Sequence, residues 1–348
     1  MPVRVTYNSP VPEGKPFTVA QLRTINFGKL VERDPQEAAK LLEAGEKDGF
    51  FYLDLTTPAS KGLWKDYTAC LEVLKKWFDT PLEEKTQYAY GSDVQGYKPI
   101  GTQTGATEKS KDGFETLRIA QTGLAWQNQP LPAAVLDQST LFNDFIDKTR
   151  YHVIQLLSSF SDAMGLEGDD RFERKHPDNR PSHTSMTFHR YNKLGARDVS
   201  NVGHNKHTDI SSIAFLFAQQ WGLQVPSTTS ENSWDYVRTQ PGFAICNVGD
   251  SLRFLSGFRL RSVLHRVVPT VEMEQTHRYS VAYFTRPVDG TTFKDSEGRI
   301  ISIQDWFEKK FDIYRASHEE QRKNTMLTGG IEDAKARARI HLREEIQI

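Results

Sequence analysis

From about residue 183 to residue 288 the chain reads in short runs with a period of two. Residues 187–191, 213–217, 223–225, 243–246, 262–265 and 279–284 are rich in β-branched and aromatic side chains, and Gly, Pro, Asn and Asp punctuate them. Many short strands at close spacing predict a sandwich or barrel, and a jelly roll satisfies the pattern. The N-terminal third has mostly the helical period. Asp34-Pro35-Gln36-Glu37 places a capping Asp, a Pro at the first helical position and a Glu at the third. Ala38, Leu41, Leu42 and Gly45 then share one helical face, ahead of a short apolar strand at 50–53. Leu63, Tyr67, Cys70, Leu74 and Trp77 predict a second helix. Thr80-Pro81-Leu82-Glu83 ends it and repeats the cap grammar for a short third one. A long helix is expected over 141–164, with Phe145, Ile146, Thr149, Val153, Leu156, Leu157 and Phe160 inward and Gly165 as its stop. From Ile303 the helical period returns, with Trp306, Phe307, Phe311 and Tyr314 as an apolar stripe, and 316–348 reads as a solvated, charged helical tail.

Composition narrows the class. The 348 residues are 37% hydrophobic and 26% charged, as in a globular protein long enough for one large domain or two ordinary ones. A formal net charge of -1 gives no bulk attraction to nucleic acid or to an anionic membrane. Cys70 and Cys246 are too few for a disulfide framework and are not spaced as a metal knuckle, so two reduced, buried thiols are expected. The first residues lack the basic-then-apolar order of a secretory signal, the last ones, EEIQI, are no address signal, and no apolar run approaches the roughly 20 residues of a membrane helix. A cytoplasmic location is the expectation.

Three residues carry candidate chemistry: His207 and Asp209 in His207-Thr208-Asp209, and His265 far downstream. Residues i and i+2 of a strand point to one side, so an HxD pair at a strand end can offer an imidazole and a carboxylate to one metal. A second His from a distant strand completes a face and leaves other positions open, as suits an iron(II) that must take O2 and an organic co-substrate. HxD alone is weak and most often marks an ordinary surface turn. Arg278-Tyr279-Ser280 strengthens it. Arg278 and Ser280 share a strand face, and a guanidinium fork with a hydroxyl beside it is an anchor for a carboxylate. A 2-oxo acid needs such an anchor when its other end chelates a metal.

With these residues the chain resembles the isopenicillin N synthase-like branch of the 2-oxoglutarate- and Fe(II)-dependent dioxygenases. The matching segments are GFFYL (49–53), WFDTPLEEK (77–85), GYKPIG (96–101), HTD (207–209), GLQV (222–225), NVGDSLRFLSG (247–257), SVLHRV (262–267) and RYS (278–280), in order over roughly residues 24 to 315. The resemblance implies a mostly β core, a double-stranded β-helix or jelly roll, with a helical N-terminal region and a C-terminal helix. It divides the chain into 1–180, a core at 181–290 and a tail at 291–348, forming one compact unit. It implies Fe(II) on His207, Asp209 and His265, with 2-oxoglutarate and O2 as co-substrates. Arg278 and Ser280 would take the distal carboxylate of 2-oxoglutarate, with Tyr191 reaching it too. Where many members have Asn-x-Tyr-Pro, this chain has His189-Arg190-Tyr191-Asn192. His189 could donate to the co-substrate in place of that Asn, approach the metal, or pack; donation or packing is expected over ligation.

The implied reaction is oxidation of a small organic substrate in specialised metabolism, not of a protein or a nucleic acid. Hydroxylation, desaturation and ring formation all fit. Two rivals stay open at this point. One is an oxidase or cyclase that uses no 2-oxoglutarate and holds its own substrate's carboxylate on Arg278. The other is a non-catalytic binding protein on the same fold. Further residues have ordinary readings. Gly249-Asp250 is expected to make a turn, and His204 and His183 to be polar or surface residues. Val94, Lys98 and Arg118 are expected in or beside a solvated loop near the pocket mouth, and Trp221 and Phe254 either line the cavity or pack.

Overall fold

The structure, a computed structural model, describes residues 9–89, 94–105, 111–121, 131–193 and 203–332. The end of the charged tail, part of the 98–118 loop and most of the N-terminal decapeptide lie outside the described residues. The chain opens with strand β1 (Thr24–Asn26), helices α1 (Phe27–Val31) and α2 (Pro35–Glu43), and strand β2 (Phe50–Asp54). Helices α3 (Leu63–Phe78) and α4 (Leu82–Thr86) lead to the antiparallel pair β3 (Gly96–Lys98) and β4 (Phe114–Ala120), followed by α5 (Ala133–Leu136) and the long α6 (Ser139–Ala163). Next come β5 (Ser185–Tyr191), β6 (His204–His207), β7 (Ile213–Ala218), β8 (Leu223–Pro226), β9 (Trp234–Tyr236) and β10 (Phe243–Val248). Helix α7 (Asp250–Leu255), strands β11 (His265–Val267), β12 (Arg278–Thr285), β13 (Thr292–Lys294) and β14 (Ile300–Ser302), and helices α8 (Ile303–Arg315) and α9 (His318–Lys323) complete it.

Two sheets form the core. The larger has eight strands in the order β1-β2-β10-β7-β12-β5-β4-β3, and the smaller has four in the order β6-β11-β8-β9. The period of two gives each central strand of the large sheet two buried faces. Val281 and Tyr283 of β12, Phe215 and Phe217 of β7 and Phe188 of β5 pack against α3 and α6, where Tyr67, Phe145 and Leu156 meet them. Their neighbours one residue away, such as Ser280, Ala282, Ala214 and Leu216, look into the space between the sheets. Phe50, Tyr191, Leu223, Val225, Ile245 and Val267 form the apolar cluster of that inner layer.

Several local expectations need correction. Besides its helices, the N-terminal region supplies four strands and not the one expected, and β1–β4 all join the large sheet. Strand pairing of the 262–265 run begins only at His265. Gly249-Asp250 is not a simple turn: Gly249 caps α7, which starts at Asp250. The Thr80 hydroxyl donates back to Trp77 O (2.8 Å), so it closes α3, and Pro81 precedes α4 without a side-chain cap. Asp34 does cap α2 through the N–H groups of Gln36 and Glu37, but Glu37 accepts from Asn26 N (2.7 Å) instead of closing a capping box. Both cysteines are free and buried. Among the described residues, no helix is long and apolar enough to cross a membrane.

Candidate active site

Antiparallel pairing of β6 with β11 sets His207 directly opposite His265, and Asp209 follows two residues after His207. Each imidazole is held from behind. Nδ1 of His207 donates to Asn205 O (2.7 Å) and Nδ1 of His265 to Val263 O (3.2 Å). Nδ1 is thus the donor nitrogen of each ring, and Nε2 is the nitrogen that faces Asp209 and is placed to ligate a metal. Each Nε2 lies 3.7 Å from Asp209 Oδ1. The donor atoms of the three residues all fall within 4.8 Å of one another, and among the described residues they form the one such group of His, Cys, Asp and Glu. The other Asp209 oxygen accepts from Asn247 Nδ2 (2.8 Å), which fixes the carboxylate plane. Burial would raise the Asp209 pKa, but His265, His207, Asn247 and Lys310 together hold it below the usual carboxylate value. Burial, reinforced by His265, pushes His207 down to about 3. A buried set of two imidazoles and one carboxylate fits a divalent cation such as Fe(II).

Across the inner space, β12 pairs with β5 so that Arg278 faces Tyr191 and Ser280 faces His189. Arg278 is 1% exposed. Its Nε donates to Trp221 O (2.7 Å), its guanidinium lies 4.8 Å over the Tyr191 ring, and Nη1 is 3.5 Å from Ser280 Oγ. Among the described residues no carboxylate pairs with it. Gly222 makes room for it: its φ is +131°, and a Cβ there would lie 2.9 Å from Arg278 Nε. Burying an uncompensated guanidinium is costly, so this end of the cleft is built for an anion supplied from outside. The distal carboxylate of 2-oxoglutarate fits that requirement.

His189 lines the same cleft as Arg278, Ser280 and the His207–Asp209–His265 group, but stands outside that group. Its Nδ1 is buried without a hydrogen-bond partner, and burial, aided by Arg118, Arg278 and Lys98, pushes its pKa down to about 3. His204, expected to be incidental, also lines the cleft: its ring stacks on His207 (4.1 Å) and meets Phe114 (4.8 Å). Phe50 sets its ring edge-on to His265 at 5.4 Å. Lys98 is not in a solvated loop. It is buried at the end of β3, ion-paired to Asp112 and 4.1 Å over the Phe114 ring. Arg118 sits in β4 with its guanidinium 4.9 Å over Phe311, and Val94 is half-buried. His183 is remote, packed on Phe307 (4.3 Å) beside Asp289. Trp221 and Phe254 pack instead of lining the cleft, Trp221 against Phe17 and Tyr236, Phe254 against Phe293 and Trp306. Asn247 and Phe50 have no local signal in the sequence, because the residues they touch are far away in the chain; His204 lies on the same strand as His207, but its contact with Phe114 of β4 is not readable from spacing.

Comparison with known proteins agrees with this arrangement. Residues 181–287 match the 2OG-Fe(II) oxygenase superfamily, and residues 22–133 match the family described as non-haem dioxygenase in morphine synthesis N-terminal. A 2-oxoglutarate-dependent dioxygenase of Gibberella zeae is 41% identical over 329 residues, covering 94% of this chain and 98% of that protein. Another, gloE of Glarea lozoyensis, is 39% identical over 313 residues, covering 90% and 94%. Among solved structures, a full-length Neurospora crassa protein in complex with alpha-KG superposes with a TM-score of 0.68 at 21% identity, over 84% of this chain and 96% of that one. A 2OG-Fe(II) oxygenase family protein from Caulobacter crescentus gives 0.69 at 20% identity, over 84% and 99%. The two structures share the jelly-roll fold, and the fungal relatives carry the assignment further: this chain belongs to the 2-oxoglutarate- and Fe(II)-dependent dioxygenases.

Proposed function

We propose that this dioxygenase oxidises a C–H bond of a small organic molecule in specialised metabolism, with Fe(II) on His207, Asp209 and His265. Arg278, Ser280 and Tyr191 take the distal carboxylate of 2-oxoglutarate, and His189 donates a hydrogen bond to the co-substrate nearer the metal. The observation that carries this reading is Arg278: a guanidinium 1% exposed, with no carboxylate partner among the described residues, on the wall opposite the candidate metal ligands. When bound, the iron supplies open coordination positions at which oxidative decarboxylation of 2-oxoglutarate is coupled to attack on the substrate. The protein's part is positional. Asn205 and Val263 carbonyls aim the two imidazoles, and Asn247 aims the carboxylate. Ala214, Leu216, Ala282 and Phe284 give the cleft an apolar wall that keeps bulk water from the reacting atoms. The relatives named as 2-oxoglutarate-dependent dioxygenases favour this reading over a 2-oxoglutarate-free oxidase or cyclase of the same family and over a non-catalytic binder, and succinate release separates the three. We further read 1–180, 181–290 and 291–348 as one working unit, supported by the four N-terminal strands in the main sheet.

The test is anaerobic reconstitution with Fe(II) and 2-oxoglutarate, admission of O2, and a scan of candidate small molecules for accelerated succinate release. A product that gains one oxygen atom marks hydroxylation, and loss of two hydrogens marks desaturation or ring closure. His207→Ala, Asp209→Ala and His265→Ala should each abolish turnover. Parent-like turnover in one of them, with iron still required, removes that residue from the ligand set.

A further inference from the structure

Thr208 stands between two proposed ligands, and its side chain is turned away from them into a fully buried polar knot. Lys310 Nζ, from α8, donates to Thr208 Oγ1 (2.7 Å) and to Asp250 Oδ2 (2.6 Å), and the Thr208 hydroxyl donates to the same Asp250 oxygen (3.1 Å). All three residues are 0% exposed. The backbone repeats the tie: Asp250 N donates to Asp209 O (2.7 Å), and Thr208 N donates to Leu327 O (3.2 Å). Gly329 closes over the knot at φ +61°, where a Cβ would lie 2.5 Å from Asp250 Oδ1 and 2.9 Å from Thr208 Oγ1. Around it lies an apolar cluster that includes Ile210, Ile303, Trp306 and Phe311.

An ion pair in such surroundings is not explained by stability, because well-packed apolar side chains of similar volume are often as good or better. What it adds is direction. Lys310 has two fixed acceptors: one belongs to the His207-Thr208-Asp209 segment itself, and the other is hydrogen-bonded to it. We propose that Lys310 is a positioning residue of the metal site: through Asp250 and Thr208, helix α8 fixes the HTD segment and so sets the spacing of His207 and Asp209. This rests on the reading of those two residues as metal ligands. It makes the segment after residue 302 part of the metal site's frame.

The test uses Co(II) as the probe, titrated into the full-length metal-free chain and followed by its visible absorption, with thermal melts alongside. Replacing the pair by apolar side chains, Lys310→Met with Asp250→Leu, should leave a folded protein whose Co(II) affinity falls about 10- to 100-fold, the usual effect of removing a residue that orients ligands. Thr208→Val should lose affinity in the same direction, while Thr208→Ser keeps the hydroxyl and should match the parent. Parent-like Co(II) affinity and spectrum in the folded double variant would overturn the proposal. If that variant fails to fold, parent-like binding by Thr208→Val does so instead. His207→Ala separates the two readings. If it binds Co(II) like the parent, the ligand assignment is wrong; if it loses Co(II) while the other variants do not, only the role of Lys310 falls.

Discussion

A guanidinium taken wholly out of water must be met by hydrogen bonds and a counter-charge, and among the described residues Arg278 has the Trp221 carbonyl, Tyr191 and the edge of Ser280, but no carboxylate. Burial correspondingly pulls its pKa below the ordinary guanidinium value. Lysine at this position keeps the charge but not the planar fork. Charged hydrogen bonds are worth about 1.5–3 kcal/mol, so Arg278→Lys should weaken 2-oxoglutarate about 10- to 100-fold in an anaerobic equilibrium titration. Unchanged binding would mean that Arg278 holds something else. At His189, the unpartnered Nδ1 in the cleft favours a hydrogen-bonding role. His189→Asn can still donate and should stay active. His189→Leu cannot, and the loss of about 1 kcal/mol should raise the 2-oxoglutarate dissociation constant roughly fivefold. A parent-like constant in the leucine variant, with a lowered melting temperature, would make His189 a packing residue. HxD and Arg-x-Ser are legible in the sequence because a two-residue spacing states a shared strand face. Asn247 and the Lys98–Asp112 pair are not, because their meaning lies in partners that only the fold brings close, and the contact of His204 with Phe114 likewise needs the sheet.

Secondary structure is readable where one interaction dominates. The central strands β5, β7, β10 and β12 are buried on both faces and show as dense β-branched and aromatic runs. Strand β4 escapes such a reading because it carries charges. Its Glu115 is 1% exposed and accepts from Arg190 Nε (2.7 Å), Lys85 Nζ (2.8 Å) and Tyr97 OH (2.6 Å), so charge that reads as surface is neutralised inside. Strand β6 is nearly all polar because its end serves the cleft. The two-faced sheet makes a prediction: damage to the helix-side face should spare the site. Phe217 packs on Tyr67 (4.9 Å), Phe215 (5.0 Å) and Phe145 (5.2 Å). Phe217→Ala should cost about 3–5 kcal/mol by denaturant unfolding while 2-oxoglutarate affinity at low temperature stays at the parent value. A large loss of affinity in the folded variant would show that the two faces are coupled.

The shift from a mainly helical period to a period of two and back can be read from the sequence, but that four N-terminal strands join the large sheet and that β13 pairs with β14 cannot. Nor can the way the layers are pinned together, since the pins are single buried residues. His152 of α6 stacks on Phe27 (3.9 Å), with Nδ1 donating to Lys148 O (2.7 Å) and Nε2 accepting from Ser60 Oγ (2.8 Å). His176 donates from Nδ1 to Phe172 O (2.7 Å) and accepts at Nε2 from Ser212 Oγ (2.9 Å), tying the end of the helical region to the core. Both patterns require the neutral ring, and burial pushes each pKa down to about 4 against the helping backbone acceptor. In the unfolded chain both return to about 6.5. Above that value neither state binds the protons, and stability is independent of these groups. As pH falls from about 6.5 to about 4, the unfolded chain takes up protons that the folded one refuses, so stability drops; below about 4 both states are protonated and the loss levels off. From pH 7 to pH 5 each histidine should remove about 2 kcal/mol, enough together to lower the melting temperature by about 5 °C. Both rings stand apart from the metal cleft, so their share is read as the difference between the parent and His152→Gln with His176→Gln. That variant should start less stable at pH 7 and show a shallower decline to pH 5. A parent whose melting temperature is flat across this interval, or a variant with the parent's slope, would show that these two histidines are not the groups that make the fold sensitive to acid.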